Sequence, residues 1–205
     1  MALSSFYGQQ AGTTQHVTGF DHTGQPAALL WIPLQARVYT DASWSSNHCT
    51  SGIAVFHHNV VELYGTNLQA KDNNDAELYS AMNGAVLGFH HAAHVALFSD
   101  SLVALKKVDQ AINNCNSMRD LHMNPVEQTL NQIIHLGGTL RMQHVRAHGV
   151  NYGNLLADVI AREAIKGDFH LTLTPQQLEN WMREKQVEFY RSTRDARVRN
   201  IINNW

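Results

Sequence analysis

The sequence predicts an α/β protein in which helices flank a mixed β-sheet. Three strand-like segments come first, and strand-like and helix-like segments follow in mixed order. The second and third strand patterns are separated by only two residues, which is typical of a β-hairpin. A hairpin-rich start followed by strands and helices in turn is the pattern of a mixed sheet with helices on its faces.

The first half of this domain is read from short apolar runs and one long helical repeat. Segment 37–43 is predicted as a buried strand, and segments 52–57 and 60–65 as a hairpin that turns at His58-Asn59. From residue 75 to 93, apolar or small residues recur at helical spacing. Asp75 would place a negative charge in the first turn of that helix, where the helix dipole favours it.

The elements of the second half are predicted from the same strand and helix patterns. Pro125 suits the first turn of a helix, and the glycines after Leu136 suit its end. The predicted order is strand 95–99, helix 101–112, helix 124–136, strand 139–145 and helix 154–165. These elements give a five-stranded sheet.

Composition divides the chain into three predicted parts. Residues 1–36 are rich in Gly, Gln, Thr and Ala and are predicted as an N-terminal extension, and 37–167 as the α/β domain. Residues 168–205 are predicted as a C-terminal helical extension, because Thr174, Pro175 and Gln177 form a helix start. Its apolar residues would pack on the same domain or dock onto a partner.

The charge is divided unevenly along the chain. Residues 1–100 hold two basic residues and seven acids, a balance of 2 − 7 = −5, and residues 101–205 hold 13 and ten, a balance of 13 − 10 = +3. Attraction to a polyanion should therefore come from the second half, and it should be modest and salt-sensitive.

The sequence also predicts an intracellular chain. Its two cysteines, Cys49 and Cys115, form neither a zinc motif nor a disulfide framework, which favours a reducing compartment. We expect no secretory signal and no membrane span, because no basic-apolar leader and no run of about 18 apolar residues occurs. The thirteen histidines are scattered, and the spaced pair His90 and His94 lacks nearby residues that would complete a zinc set.

Four carboxylates carry the functional prediction. Asp41 lies in Thr-Asp-Ala-Ser, Glu77 in Asn-Asn-Asp-Ala-Glu-Leu, and Asp100 in Ser-Asp-Ser, while Asp158 follows His148 by ten residues. Clustered acidic oxygens suit hard divalent cations, and two such cations can cleave a phosphodiester without a protein nucleophile. If strands 37–43 and 95–99 are parallel neighbours, Asp41 and Asp100 meet at one sheet edge.

These motifs, in this order and spacing, resemble those of the ribonuclease H family over about residues 37–167. The resemblance implies that Asp41, Glu77, Asp100 and Asp158 bind two Mg²⁺ ions, for which Mn²⁺ can substitute. It also implies that the chain hydrolyses the RNA strand of RNA–DNA hybrids. His148 corresponds to the histidine of the family's flexible loop, which would shuttle a proton or assist product release.

The resemblance implies substrate-binding positions as well. Asn73 and Asn74 look like the paired asparagines that contact the hybrid in its minor groove, and Asn47 and Asn154 fit further contact positions. The string from Ala147 to Asp158 looks most like ribonuclease H domains of retroelement polyproteins, and a domesticated or host-derived copy is equally compatible. A larger protein assembly or a reverse transcriptase is therefore an expected partner, next to the hybrid itself.

Chemistry assigns each acid an expected role. Asp41 would bridge the two ions, Glu77 and Asp100 would serve the leaving-group side, and Asp158 the side of the attacking water. Crowded carboxylates repel one another, so at least one should bind protons more readily without metal.

Two other functions are compatible with the sequence. Segment 113–123 holds one basic residue, Arg119, and lacks the basic handle of many free-standing bacterial relatives. A ribonuclease H-fold scaffold that docks through its C-terminal helix is therefore the alternative. An integrase or junction resolvase is disfavoured by the Asn-Asn-x-x-Glu motif and the His-to-Asp spacing.

Overall fold

The computed structural model describes residues 35–45, 48–113, 125–146 and 151–192, with side chains up to residue 185. The strands are β1 (Gln35–Trp44), β2 (Cys49–His57), β3 (Val60–Asn67), β4 (His94–Ser99), β5 (Thr139–His144) and β6 (Phe169–Leu173). The helices are α1 (Asn73–Phe89), α2 (Leu102–Asn113), α3 (Pro125–His135), α4 (Tyr152–Glu163) and α5 (Pro175–Ser192), and a 3₁₀ turn at Ala164–Lys166 follows α4. The predicted extension 1–36 lies almost wholly outside the described residues.

The six strands form one mixed sheet in the order β5-β4-β1-β2-β3-β6. β4 is parallel to both β1 and β5, and the remaining pairs are antiparallel. The predicted hairpin is present, since His57 pairs with Val60 across the turn at His58 and Asn59. The predicted fold class, an α/β sheet flanked by helices, is confirmed.

The sheet has one strand more than the five predicted. β6 lies in the segment assigned to the C-terminal extension, and it pairs antiparallel with β3 from Gly65 to Val61. Its sequence, Phe-His-Leu-Thr-Leu, alternates apolar and polar residues over five positions. That alternation is a strand signal, and it was missed because the helix start at Thr174 follows immediately.

Helix boundaries differ from the prediction where a side chain caps the helix. α1 begins at Asn73, two residues before the predicted start, because the Asp72 side chain accepts a hydrogen bond from the backbone N–H of Asp75 at 2.9 Å. α4 begins at Tyr152, also two residues early, and Asn151 caps it through the N–H of Asn154 at 3.2 Å. Both residues are strong N-cap formers.

The two faces of the sheet carry separate cores. Along β2, Ile53 and Val55 belong to the core beneath α1, α2 and α3, whereas Ala54 faces α4 and α5. This alternation follows from the period of two in a β-strand. α5 adds Leu178 and Met182 to the second core, so the apolar face at its start packs on its own domain. No helix in the described ranges combines the length and the apolar character that crossing a bilayer requires.

We expect Gly52→Ala to destabilise the fold far more than Gly65→Ala. A Cβ at Gly52 would lie 2.0 Å from the backbone oxygen of Ala157 in α4, whereas one at Gly65 would meet the Phe169 side chain at 2.3 Å. A helix backbone cannot yield locally, but a half-buried ring can turn. Urea unfolding should show a loss of about 3 kcal/mol or more at residue 52 and about 1 kcal/mol at residue 65. Equal losses would contradict the close packing of α4 on β2.

Candidate metal-binding active site

The parallel pairing of β1 with β4 brings two carboxylates to one edge of the sheet. Thr40 pairs with Ser99, so the next two residues lie side by side: Asp41, still within β1, and Asp100, which directly follows β4. The backbone N–H of Ala42 donates to Asp41 Oδ1 at 2.8 Å. The expectation that these two acids meet at the carboxyl ends of neighbouring parallel strands is therefore confirmed.

Glu77 reaches the same place from the first turns of α1. It lies directly after the fully buried Ala76, and its own side chain is only 6% exposed. One carboxylate oxygen from each of Asp41, Glu77 and Asp100 lies within 4.8 Å of the other two. Three acidic oxygens at this separation form a ligand set for a hard divalent cation.

The electrostatics of the acidic trio Asp41, Glu77 and Asp100 is unfavourable without a counter-charge. Burial, and then the charges of Glu77, Asp100 and Asp158, raise the pKa of Asp41 to about 9. Burial and the charge of Asp100 raise the pKa of Glu77 to about 7. Asp41 is therefore the member of the predicted quartet whose pKa every other member raises.

The residues present fit a bound cation. Glu77 Oε2 is buried and has no hydrogen-bond partner among the described residues. A buried carboxylate oxygen without a partner is costly, and a divalent cation is a group that would satisfy it. The absence of Cys or His from the trio favours Mg²⁺ or Mn²⁺ over softer metals.

Two serines that sequence reasoning missed support the backbone at Asp41. Ser80, three residues after Glu77 on α1, donates its hydroxyl to the backbone oxygen of Asp41 at 2.9 Å. The buried Ser51 hydroxyl lies 2.7 Å from that of Ser80 and completes the chain of hydrogen bonds. The available signal was a small polar residue on the apolar face of α1, one turn after the predicted ligand.

α4 contributes from the other face of the sheet. Asn154 is 5% exposed, and its Nδ2 donates to Asp100 Oδ2 at 3.2 Å. Asp158, one turn later, accepts a hydrogen bond from Arg162 Nη2 at 2.6 Å. The structure thus places Asn154 against a predicted metal ligand. Asp158 acts on Asp41 through its charge, although it is not one of the trio whose oxygens lie within 4.8 Å.

The remaining predicted residues fall into two groups. Asn73 and Asn74 are exposed at the start of α1, on the approach to Glu77. Asn47 and His148 lie outside the described residues. His144, the last residue of β5, donates Nε2–H to the backbone oxygen of Asp100 at 3.1 Å.

The fold and the site together define a class of protein. A mixed sheet that gathers acidic side chains at the carboxyl ends of parallel strands, in contact with a helix that adds a third, is the frame of a ribonuclease H-like hydrolase. The sequence model of RNase H matches residues 34–166, which is more than half of the 205-residue chain. The chain belongs to the RNase H family, and the prediction of a ribonuclease H enzyme, a nuclease, is confirmed.

A solved structure with a TM-score above 0.5 supports the fold. LC9-RNase H1, a type 1 RNase H with the type 2 active-site motif, matches at 18% identity and a TM-score of 0.55, over 73% of this chain and 81% of that one. RNase H1 from the halophilic archaeon Halobacterium salinarum matches at 16% identity and a TM-score of 0.45, over 64% and 98% of the two chains. Comparison with curated protein sequences finds no match.

Without metal, we expect Asp41→Asn to stabilise the protein above neutral pH. Because the pKa of Asp41 is raised to about 9, the folded state holds a proton that the unfolded state releases, so the free energy of unfolding falls as pH rises from about 4 to about 9. In EDTA at pH 8, the variant should gain about 1–2 kcal/mol, or roughly 2–8 °C in Tm.

The pH series supplies the control for this prediction. At pH 4 the parent carboxyl is protonated in the folded state and about half protonated in the unfolded state, so the gain should shrink. Asp109→Asn, at an exposed acid on α2, should leave the pH dependence unchanged. Parallel stability curves for the parent and Asp41→Asn between pH 4 and 9 would contradict the electrostatic assignment.

Proposed function

We propose that the chain is a metal-dependent endonuclease that hydrolyses the RNA strand of RNA–DNA hybrids. The observation that carries this function is the convergence of Asp41, Glu77 and Asp100, with oxygens within 4.8 Å and one buried Glu77 oxygen unpaired among the described residues. Structural carboxylates are normally paired or solvated, and within the described part of the chain the Glu77 oxygen is neither. A ligand set arranged for cations accounts for both features.

The trio and Asp158 would hold two divalent cations. When bound, two such ions supply an acidified water and stabilise the leaving 3′-oxygen of the phosphodiester. Asp41 is the proposed shared ligand, because all three other acids act on its pKa. Glu77 and Asp100 would serve the leaving-group side and Asp158 the water side.

The protein itself contributes orientation. Asn154 holds one oxygen of Asp100 through its amide, and Ser80 fixes the backbone that carries Asp41. Arg162 holds one oxygen of Asp158. A ligand fixed by such neighbours meets the metal in one orientation, which is why these partners matter for metal affinity. His148, which precedes α4 in the sequence, is the proposed proton shuttle.

A groove beside the start of α1 suits a nucleic acid. It has a volume of about 620 Å³ and is lined by Trp44, Lys71 and Tyr79, among others. Trp44 is 44% exposed, so its ring is available to stack, and Lys71 can meet a phosphate. Asn73 and Asn74 follow Lys71 by two and three residues, and they would read the 2′-hydroxyl groups that distinguish RNA from DNA.

The setting of the activity is a further part of the proposal. The motif string before Asp158, which resembles retroelement domains, supports a retroelement origin and a larger assembly or reverse transcriptase as partner. The first hundred residues have a net charge of 2 − 7 = −5. This charge repels a polyanion and supports dependence on such a partner for tight hybrid binding. We propose an intracellular location on the cysteine content alone.

Cleavage of a labelled RNA–DNA hybrid tests this function. With Mg²⁺ or Mn²⁺ at low salt, the parent should cleave the RNA strand and leave an all-DNA duplex intact. Asp41→Asn should lower the rate by about 10³-fold or more, since loss of a metal ligand removes several kcal/mol of transition-state stabilisation. Its hybrid affinity should change little, because the groove is untouched.

The matched control is Asp109→Asn, which removes an acid of the same type from the exposed side of α2. It should cleave at the parental rate. Cleavage by Asp41→Asn at that rate would remove Asp41 from the mechanism. No cleavage by the parent across both metals would favour the scaffold alternative.

Asn73→Ala/Asn74→Ala should weaken hybrid binding by about tenfold, the equivalent of one or two hydrogen bonds. Binding of an all-DNA duplex should change less, because it offers no 2′-hydroxyl. The comparison is made by fluorescence anisotropy in the Asp41→Asn background, so that no cleavage occurs. Asn113→Ala, at an exposed asparagine that ends α2, is the control. Equal loss for the hybrid and the DNA duplex would argue against 2′-hydroxyl recognition.

A further inference from the structure

A second cluster of metal-binding residue types lies at the other end of α1. His57 ends β2, Glu62 lies on β3, and His91 follows the end of α1. Both His57 Nε2 and His91 Nε2 face the same oxygen, Glu62 Oε1, at 3.1 and 3.5 Å. All three potential ligand atoms lie within 4.8 Å of one another. The cluster shares no residue with the acidic trio.

The second oxygen of Glu62 has its own partners. Tyr64 donates its hydroxyl to Glu62 Oε2, and His170 Nε2 on β6 lies 3.1 Å from the same oxygen. Glu62 is only 8% exposed. The carboxylate is thus held by Oε2, which leaves Oε1 directed at the two imidazoles. Partners of this kind fix a ligating carboxylate in one orientation.

The separations match those between ligands of one tetrahedral ion. Zinc binds imidazole nitrogen and carboxylate oxygen at about 2.0–2.1 Å, so two of its ligands in a tetrahedron lie about 3.3 Å apart. The two distances to Glu62 Oε1, 3.1 and 3.5 Å, bracket that value. The imidazoles stack with ring centroids 3.9 Å apart, and in-plane binding requires them to turn apart about χ2, a torsion with a broad well.

We propose that His57, Glu62 and His91 form a binding site for a divalent transition metal ion, with Zn²⁺ the best fit. Two imidazoles and one carboxylate leave a fourth position to water. This ligand chemistry excludes Mg²⁺, which binds oxygen and retains its waters. Glu77 lies 12 residues before Phe89, the last residue of α1, which is about 18 Å along the helix, and His91 lies beyond that end, so the site is distinct from the proposed catalytic centre.

The geometry also indicates what the ion would do. The three ligands come from β2, β3 and the segment after α1, and His170 adds β6, the strand that closes the sheet. An ion held there would link β2 and β3 to the end of α1. Because the unfolded chain lacks this arrangement, the ion would stabilise the folded state in proportion to its affinity.

The remaining contact of His57 supports the assignment. Its Nδ1 lies 3.4 Å from Nδ1 of His58, so one ring can donate to the other. A metal-bound imidazole uses one nitrogen as ligand and donates the other N–H to a neighbour. The alternative is a metal-free network in which the imidazoles only hydrogen-bond to Glu62, and the experiment below separates the two.

The test is a titration of the EDTA-treated full chain with Zn²⁺ in excess Mg²⁺. Calorimetry measures the affinity and stoichiometry, and thermal unfolding measures the change in Tm. We expect one tight site per chain and a rise in Tm on adding Zn²⁺. His91→Ala should weaken that site by about 100-fold or more, since loss of a ligand exceeds the 10–100-fold effect of a supporting residue. His90→Ala, the matched control, removes the neighbouring exposed imidazole and should bind like the parent.

Two further measurements test the site if His91→Ala does not fold. Co²⁺ added to the parent should give the intense visible absorption of a four-coordinate ion, and equimolar Zn²⁺ should abolish it. Glu62→Gln should bind Zn²⁺ at least tenfold more weakly, and Asp41→Asn should bind it normally. A parent without a 1:1 site, or equal affinity in the parent, His91→Ala and Glu62→Gln, would overturn the proposal in favour of the metal-free network.

Discussion

The parallel pairing of β1 with β4 is the constraint on which the acidic site depends. Its register sets Thr40 beside Ser99, and the following residue of each strand is a carboxylate. The chain therefore forces two like charges together at one sheet edge, and α1 adds a third. The core beneath α1 opposes this repulsion, since Ala76, Ala81 and Ala85 are fully buried against the sheet. Small side chains allow the helix to approach closely enough for Glu77 to reach the strands.

This arrangement holds carboxylates that repel one another close together in the folded state, and a bound cation would neutralise them. The raised pKa values of Asp41 and Glu77 express the same fact, because burial and mutual repulsion both favour the protonated form. Affinity for the cation and stability without it are therefore linked. A frame that held the acids further apart would gain stability and lose the ligand set.

The sequence was sufficient for the parts of the fold that depend on local pattern. The two-residue turn at His58 and Asn59 predicted the hairpin, and the helical repeat after residue 75 predicted α1. Asp41 and Asp100 were predicted to meet if their strands are parallel neighbours, because Asp41 lies on one strand and Asp100 directly follows the other. The sixth strand was missed, since five alternating residues directly before a helix start carry a weak signal.

Contacts between distant elements could not be predicted in the same way. Asn154 was singled out by its spacing from Asp158, yet its bond to Asp100 joins residues 54 positions apart. The pairing of Ser80 with the backbone of Asp41 depends on the height of α1 over β1, which no periodicity fixes. The histidines around Glu62 come from three further elements, and in the sequence they were indistinguishable from scattered surface residues.

The acidic site also depends on both faces of the sheet. Glu77 comes from α1 on one face, and Asn154 and Asp158 come from α4 on the other, while Asp41 and Asp100 lie at the sheet edge between them. Loosening either core would shift one set of groups relative to the strands. The hydrogen bond from Asn154 to Asp100 spans this boundary, so it couples the packing of α4 to the position of a proposed metal ligand. The close contact of α4 with β2 at Gly52 is consequently part of the site as well as of the fold.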